Sequence, residues 1–242
     1  MSGVNNPLYF IGEGDWKVPD PEDVANDDGL IALSWDINPE MYKRLYPVGI
    51  FPWFDQDEVV FWFSPPVRSI TLTSDVKISK SMRPYFNKGV WRTTVNEAFD
   101  AVVERCSTVP RPGQDGTWIS EKFSANFSRM HQLGQAHSFE IWEGDELIGG
   151  TFGVLTGRIF VGESMFHTRP NASKFAYIRM CQILSERGVE VVDNQIPTEH
   201  LSSLGAIGED RTWFLERLKT AHEGDFEIHL QPFSSRFPGG LA

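Results

Sequence analysis

The stretch from Ser120 to Gln195 does most to restrict what this chain can become, because helical and extended patterns alternate there with short, well-marked breaks. Ser120 is suited to cap a helix in which Phe123, Phe127 and Met130 recur at helical spacing, and Gly134 is suited to end it. Two apolar runs follow, His137 to Trp142 and Glu146 to Val154, separated by Gly144-Asp145, a pair that favours a tight hairpin. A third strand is expected from Arg158 to Gly162, then a long helix from Asn171 to Gly188 and a short strand from Val189 to Val192. Short helices near Thr198 and Asp210 and a last strand from Phe226 to Leu230 complete the reading. Helix, hairpin, strand, helix, strand is an α+β order with an antiparallel-rich sheet, the layout of an N-acetyltransferase-like acyltransferase domain.

Upstream the signals are sparser. Asn38 is placed to cap a helix with Pro39 in its first turn, running to about Tyr46. Val59 to Phe63 reads as a buried strand, stopped by Ser64-Pro65-Pro66, and a helix is expected from Val95 to Cys106. The turn-rich segment Pro110 to Gly116 suggests a boundary, dividing a smaller N-terminal α/β domain, 1–109, from a catalytic domain, 110–242.

Cys106 and Cys181 are the only cysteines, which excludes a disulfide framework or a zinc-finger spacing and suits a reducing compartment. No basic-then-apolar leader opens the chain and no apolar run nears the roughly 18 residues of a membrane span. A cytoplasmic protein is expected. The net charge of −11 argues against coating a nucleic acid. Between Lys77 and Arg92, however, Lys77, Lys80, Arg83, Lys88 and Arg92 occur with no acidic residue among them, a local stripe able to hold a few phosphates.

Two segments could carry chemistry. In Val191-Val192-Asp193-Asn194-Gln195 an apolar strand ends in polar groups; if it stays extended, Asp193 and Gln195 face one side, and the Asp could polarise the Gln amide as an acceptor for an amine. An Asx turn at a strand end is the ordinary alternative. In Gly162-Glu163-Ser164-Met165-Phe166 a carboxylate beside apolar residues could hold an ammonium or a ribose hydroxyl, or be a surface Glu. His137, Ser138, Ser164 and His200 raise a hydrolase, but no Gly-x-Ser-x-Gly elbow surrounds either serine. Leu204-Gly205-Ala206-Ile207-Gly208 lacks the spacing of a coenzyme A pyrophosphate loop.

Taken in order, several blocks resemble the leucyl/phenylalanyl-tRNA–protein transferase family. They include Gly49-Ile50-Phe51-Pro52-Trp53, Gly116-Thr117-Trp118, Gly134-Gln135-Ala136-His137-Ser138, Gly162-Glu163-Ser164-Met165-Phe166, Asp193-Asn194-Gln195 and His200-Leu201-Ser202-Ser203-Leu204-Gly205-Ala206. The resemblance implies transfer of Leu or Phe, less well Met, from aminoacyl-tRNA to the α-amine of proteins beginning with Arg or Lys, marking them for degradation. It implies that Trp53 and Trp118 sandwich the terminal adenosine with Tyr46 nearby, and that Glu163 stands at the reacting amine. Asp193 and Gln195 would orient and activate that amine, and Phe160, Met165 and Met180 would form the side-chain pocket. Lys77, Lys80, Arg83, Lys88 and Arg92 would contact tRNA. No metal, cofactor or ATP is implied, since the ester is already activated, and a monomer is expected. The chain departs from the family pattern at Phe127, where a Tyr is expected, at Asn194, where Cys is frequent, and at Thr151, where Met is common. An acetyl-coenzyme A-dependent N-acetyltransferase and a non-catalytic binder of basic N-termini are the competing readings.

Overall fold

The computed structural model describes residues 8–12, 16–24, 28–109, 117–224, 228 and 230–236. The N-terminal elements are β1 (Tyr9–Ile11), α1 (Pro21–Val24), β2 (Leu30–Ser34), α2 (Pro39–Leu45), β3 (Phe51–Gln56) and β4 (Val59–Phe63). They form a sheet of order β1-β2-β4-β3. Asn38 caps α2 as expected, its side chain accepting from the Met41 N–H at 3.1 Å. A short 3-10 turn, Tyr46–Val48, continues α2, and left-handed Gly49 (φ 77°) turns the chain into β3.

A larger sheet takes the rest. Its strands are β5 (Val67–Leu72), β6 (Arg92–Val95), β7 (Ala136–Glu143), β8 (Glu146–Thr156), β9 (Ile159–His167), β10 (Val191–Gln195), β11 (Ile207–Asp210) and β12 (Phe233–Arg236), in the order β11-β5-β10-β9-β8-β7-β6-β12. The helices are α3 (Arg83–Lys88), α4 (Phe99–Thr108), α5 (Glu121–Gln132), α6 (Ala172–Glu186), α7 (Glu199–Ser202) and α8 (Arg211–Ala221). In this sheet β9 and β10 are parallel and the other described pairs antiparallel. The α+β class with an antiparallel-rich sheet is as expected.

Several boundaries moved. The helix expected from Val95 begins only at Phe99: Thr93, Thr94 and Val95 favour an extended strand, and Asn96 (φ 60°) breaks it from the helix. The strand expected to stop at Gly162 runs on to His167, because a bulge absorbs the polar Glu163 without ending the ladder. The segment near Asp210 is a helix of 11 residues rather than a short one. The last strand is Phe233–Arg236; part of the expected Phe226 to Leu230 stretch lies outside the described residues, as does the Pro110 to Gly116 link. The large sheet does cross residue 109: β5 and β6 precede it and pair with β10 and β7 beyond it, so the change of sheet falls between Phe63 and Val67.

Helix α6 covers one face of the large sheet, packing Phe175, Ile178 and Met180 with Phe139, Phe160 and Val192. On the other face, Phe152, Val161 and Phe166 share a core with Trp62 and Phe51 of the small sheet and with Phe123 and Phe127 of α5. Helix α8 adds Phe214 and Leu218 against Ile70 and Val191. The two sheets are therefore joined by common apolar burial. Among the described residues, no helix is long and apolar enough to cross a membrane.

Candidate active site

Strands β9 and β10 pair only from Ile159/Val191 to Val161/Asp193. Immediately beyond, both bulge. On β9, Phe152 faces Ser164 and Gly153 faces Gly162, leaving Glu163 as the extra residue. Gly153 permits this, since a Cβ there would stand 2.1 Å from the Val161 carbonyl. On β10, Asp193 faces Ile70 and Gln195 faces Ser69, leaving Asn194 as the extra residue. Two neighbouring parallel strands that stop pairing and bulge together bring side chains into the gap at their carboxyl ends.

Glu163 and Gln195 meet there. The Tyr46 hydroxyl donates to Glu163 Oε1 at 2.6 Å, and Gln195 Nε2 donates to Glu163 Oε2 at 3.4 Å. Burial raises the Glu163 carboxyl to about 8, against the opposing pull of those two hydrogen bonds. Tyr46 is itself held well above its ordinary value by burial and by the Glu163 charge. With Nε2 turned to Glu163, the Gln195 amide oxygen is left to accept a hydrogen bond from elsewhere.

Asp193 plays a different part from the one expected. It does not touch the Gln195 side-chain amide. Its Oδ1 accepts the Gln195 backbone N–H at 2.8 Å, holding that residue in a left-handed conformation (φ 65°). The bulge at Asn194 is the reason, since it breaks the alternation that would have aligned Asp193 and Gln195. Arg68 grips the same carboxylate with two bonds, Nε to Oδ1 at 2.8 Å and Nη2 to Oδ2 at 2.6 Å. The guanidinium lies between the rings of Phe51 and Phe214, 4.5 Å from each, and donates to the Gly49 carbonyl at 3.0 Å. Both partners are buried, so the pair satisfies charges that would otherwise be costly. No motif singles out Arg68, yet its strand carries a signal: it alternates in phase with Ile70 and Leu72, and a charge on a buried strand face needs a partner.

Trp53, 39% exposed, sits at a bulge of β3 and packs edge-on against Phe63 and Phe54. Trp118, half-buried, packs against Phe123 and Phe127. Ser120 Oγ donates to Asp55 Oδ2 at 2.7 Å, which ties the segment bearing Trp118 to the strand bearing Trp53. Phe160 and Met180 are fully buried in the α6 core, and Met165 is partly buried against it. Phe127 touches Tyr42, whose ring lies 5.0 Å from that of Tyr46 and whose buried hydroxyl has no partner among the described residues.

Lys77, Lys80, Arg83 and Lys88 are exposed on and before α3. Arg92 stands apart from them: it pairs with Glu97 at 3.1 Å and lies over the Trp142 ring. The hydrolase alternative finds no Ser–His pair at His137, because Ser138 Oγ donates to Glu140 and His137 Nδ1 lies 3.0 Å from the Asn96 amide. Burial lowers His137 to about 4, so its ring is neutral near pH 7. A cleft of about 420 Å³ lined by Trp16, Trp35, Asp36, Glu40 and Arg44 lies on a different flank of α2 and shares no residue with the Glu163 cluster.

A family model described as leucyl/phenylalanyl-tRNA protein transferase matches residues 70–219, and one for that family's N-terminal domain matches residues 36–66. A Christiangramia forsetii protein named leucyl/phenylalanyl-tRNA–protein transferase is 44% identical over 213 residues, 87% of this chain and 100% of that protein. A protein of the same name from Anaeromyxobacter sp. (strain K) is 44% identical over 205 residues, covering 85% of this chain and 88% of its own length. Among solved structures, L-PGS from Bacillus licheniformis superposes with a TM-score of 0.40 at 11% identity over 71% of this chain, which spans 56% of that one. FemX superposes with a TM-score of 0.41 at 12% identity, over 90% of this chain and 72% of that one.

Proposed function

Because the chain belongs to the leucyl/phenylalanyl-tRNA–protein transferase family, an aminoacyltransferase family, we propose that it moves Leu or Phe, less well Met, from aminoacyl-tRNA to the α-amine of proteins beginning with Arg or Lys. The new N-terminus would mark those proteins for degradation, in the cytoplasm where charged tRNA is found. The observation that carries the reading is the Tyr46–Glu163–Gln195 chain of hydrogen bonds at the gap between β9 and β10.

In the reaction the amine nitrogen forms a bond to the ester carbonyl carbon, and the ester C–O bond breaks to release the tRNA ribose hydroxyl. One proton leaves the nitrogen and one reaches the departing oxygen. The Gln195 amide oxygen is the acceptor that aligns the amine, with its orientation set by Glu163 rather than by Asp193. Glu163, at about 8, is matched to an N-terminal amine of about 7.7–8.0, so a proton passes between them with little change in free energy. Most of the acceleration comes from holding the amine against the carbonyl. Trp53 and Trp118 would stack the terminal adenosine, a contact contributing about 1–3 kcal/mol per base. Lys77, Lys80, Arg83 and Lys88 would hold acceptor-stem phosphates. Met165, partly buried against the α6 core, would border the apolar side-chain pocket with Phe160 and Met180 packed behind it; such a pocket discriminates weakly by methylene count and suits several apolar side chains.

Transfer of labelled leucine from Leu-tRNA to a peptide beginning with Arg, beside the same peptide N-acetylated, tests the reading. Label is expected on the free peptide alone. Asp193→Ala is expected to cut transfer strongly while leaving adenosine binding nearly intact. No label with Leu-, Phe- or Met-tRNA would favour the non-catalytic binder, and saturable acetyl-coenzyme A binding the N-acetyltransferase.

A further inference from the structure

The Asp193–Arg68 pair grips β10 from one face. A second polar group grips it from the other. The Tyr177 hydroxyl of α6 lies 2.8 Å from both Thr71 Oγ1 of β5 and Asn194 Oδ1 of β10; its one proton goes to the Asn194 amide oxygen, and the Thr71 hydroxyl donates to the Tyr177 oxygen. Asn194 Nδ2 donates to Thr71 Oγ1 at 3.1 Å, closing a triangle among three elements. Tyr177 is 1% exposed, Thr71 0% and Asn194 9%, and the triangle lies within the apolar core built on Phe175, Ile178 and Val192.

We propose that Tyr177 and Thr71, acting through Asn194, are positioning residues that hold the β10 bulge and so aim Gln195 at Glu163. This rests on the reading in which Gln195 aligns the amine. Asn194 is the residue that the register skips, and the next residue, Gln195, is left-handed. A non-glycine residue in that region is strained and persists only where its surroundings over-determine it. Asp193 fixes the backbone N–H of Gln195; the triangle fixes the side chain of the residue between them. An apolar trio would fill the same space with no polar desolvation, so the polar trio contributes direction rather than burial. No hydrogen bond of Tyr177 or Thr71 reaches Glu163 or the Gln195 side chain, so neither is a catalytic residue.

The test compares Tyr177→Phe and Thr71→Val with a control core variant, Ile178→Val, by leucine transfer to an Arg-starting peptide and by crystal structures. For both test variants kcat is expected to fall about tenfold to a hundredfold, the scale of a small misplacement, with KM for peptide and tRNA within about twofold. The control is expected to keep kcat. The Tyr177→Phe structure is expected to show Gln195 out of the left-handed region and beyond hydrogen-bond reach of Glu163. Two folded test variants with wild-type kcat overturn the proposal, as does an equal loss in the control. Gln195 unmoved in Tyr177→Phe overturns it whatever the activity. A wild-type protein silent in transfer instead defeats the functional reading, and the structural comparison still decides the positioning.

Discussion

Glu163 is buried, with a hydroxyl on one oxygen and an amide on the other. Its folded pKa, about 8, stands above the ordinary value of 4.5. Between those values the folded chain keeps a proton that the unfolded chain has released, so stability falls as pH rises across the window, by at most about 1.4 kcal/mol per unit. Below it the group contributes no pH dependence, and above about 8 the loss is complete. Glu163→Gln removes the titration. Thermal unfolding between pH 5 and pH 8 (roughly the span of the shift) is expected to show the variant gaining on the wild type as pH rises. A constant difference would mean that Glu163 ionises like an exposed carboxyl.

At the level of elements, the basic segment and the bulged strands show what a sequence discloses and what it withholds. Lys77, Lys80, Arg83 and Lys88 are exposed, whereas Arg92 is occupied by Glu97 and Trp142. On the proposed reading, Lys80→Ala or Arg83→Ala should each reduce the slope of log K for tRNA against log salt by about 1, and Arg92→Ala should change it little. Binding measured across a salt series checks this; equal effects at all three positions would place Arg92 in the stripe. The helix starts at Asn38 and Ser120 and the Gly144-Asp145 hairpin were legible because caps and turns are local chemistry. By their own pattern Glu163, Asp193 and Gln195 were visible only as polar residues at strand ends, and their expected roles came from the family resemblance. Their division of labour was not visible, because it depends on two bulges, and one skipped residue reverses which side chains share a face. Arg68 lies 125 positions from the carboxylate it grips, a separation that no local pattern spans.

For the molecule as a whole, the two sheets share one apolar core on Trp62, Phe152 and Phe166. They are also tied through the site, once by Tyr46 to Glu163 and once by Gly49 through Arg68 to Asp193. A single cooperative transition in calorimetry is expected, with Arg68→Met lowering its midpoint without splitting it, since one buried charge loses its partner at a cost of about 3–5 kcal/mol. Two resolved transitions would show the sheets to be independent. The ties carry a consequence for how substrates arrive. They pass through the same side chains that the proposed chemistry employs, so the sheets have no jaw-like opening available: swinging them apart would dismantle Tyr46–Glu163 and release Asp193. On the proposed reading, the acceptor's first residue and the 3′ end of the tRNA would then enter between walls that these ties hold in place.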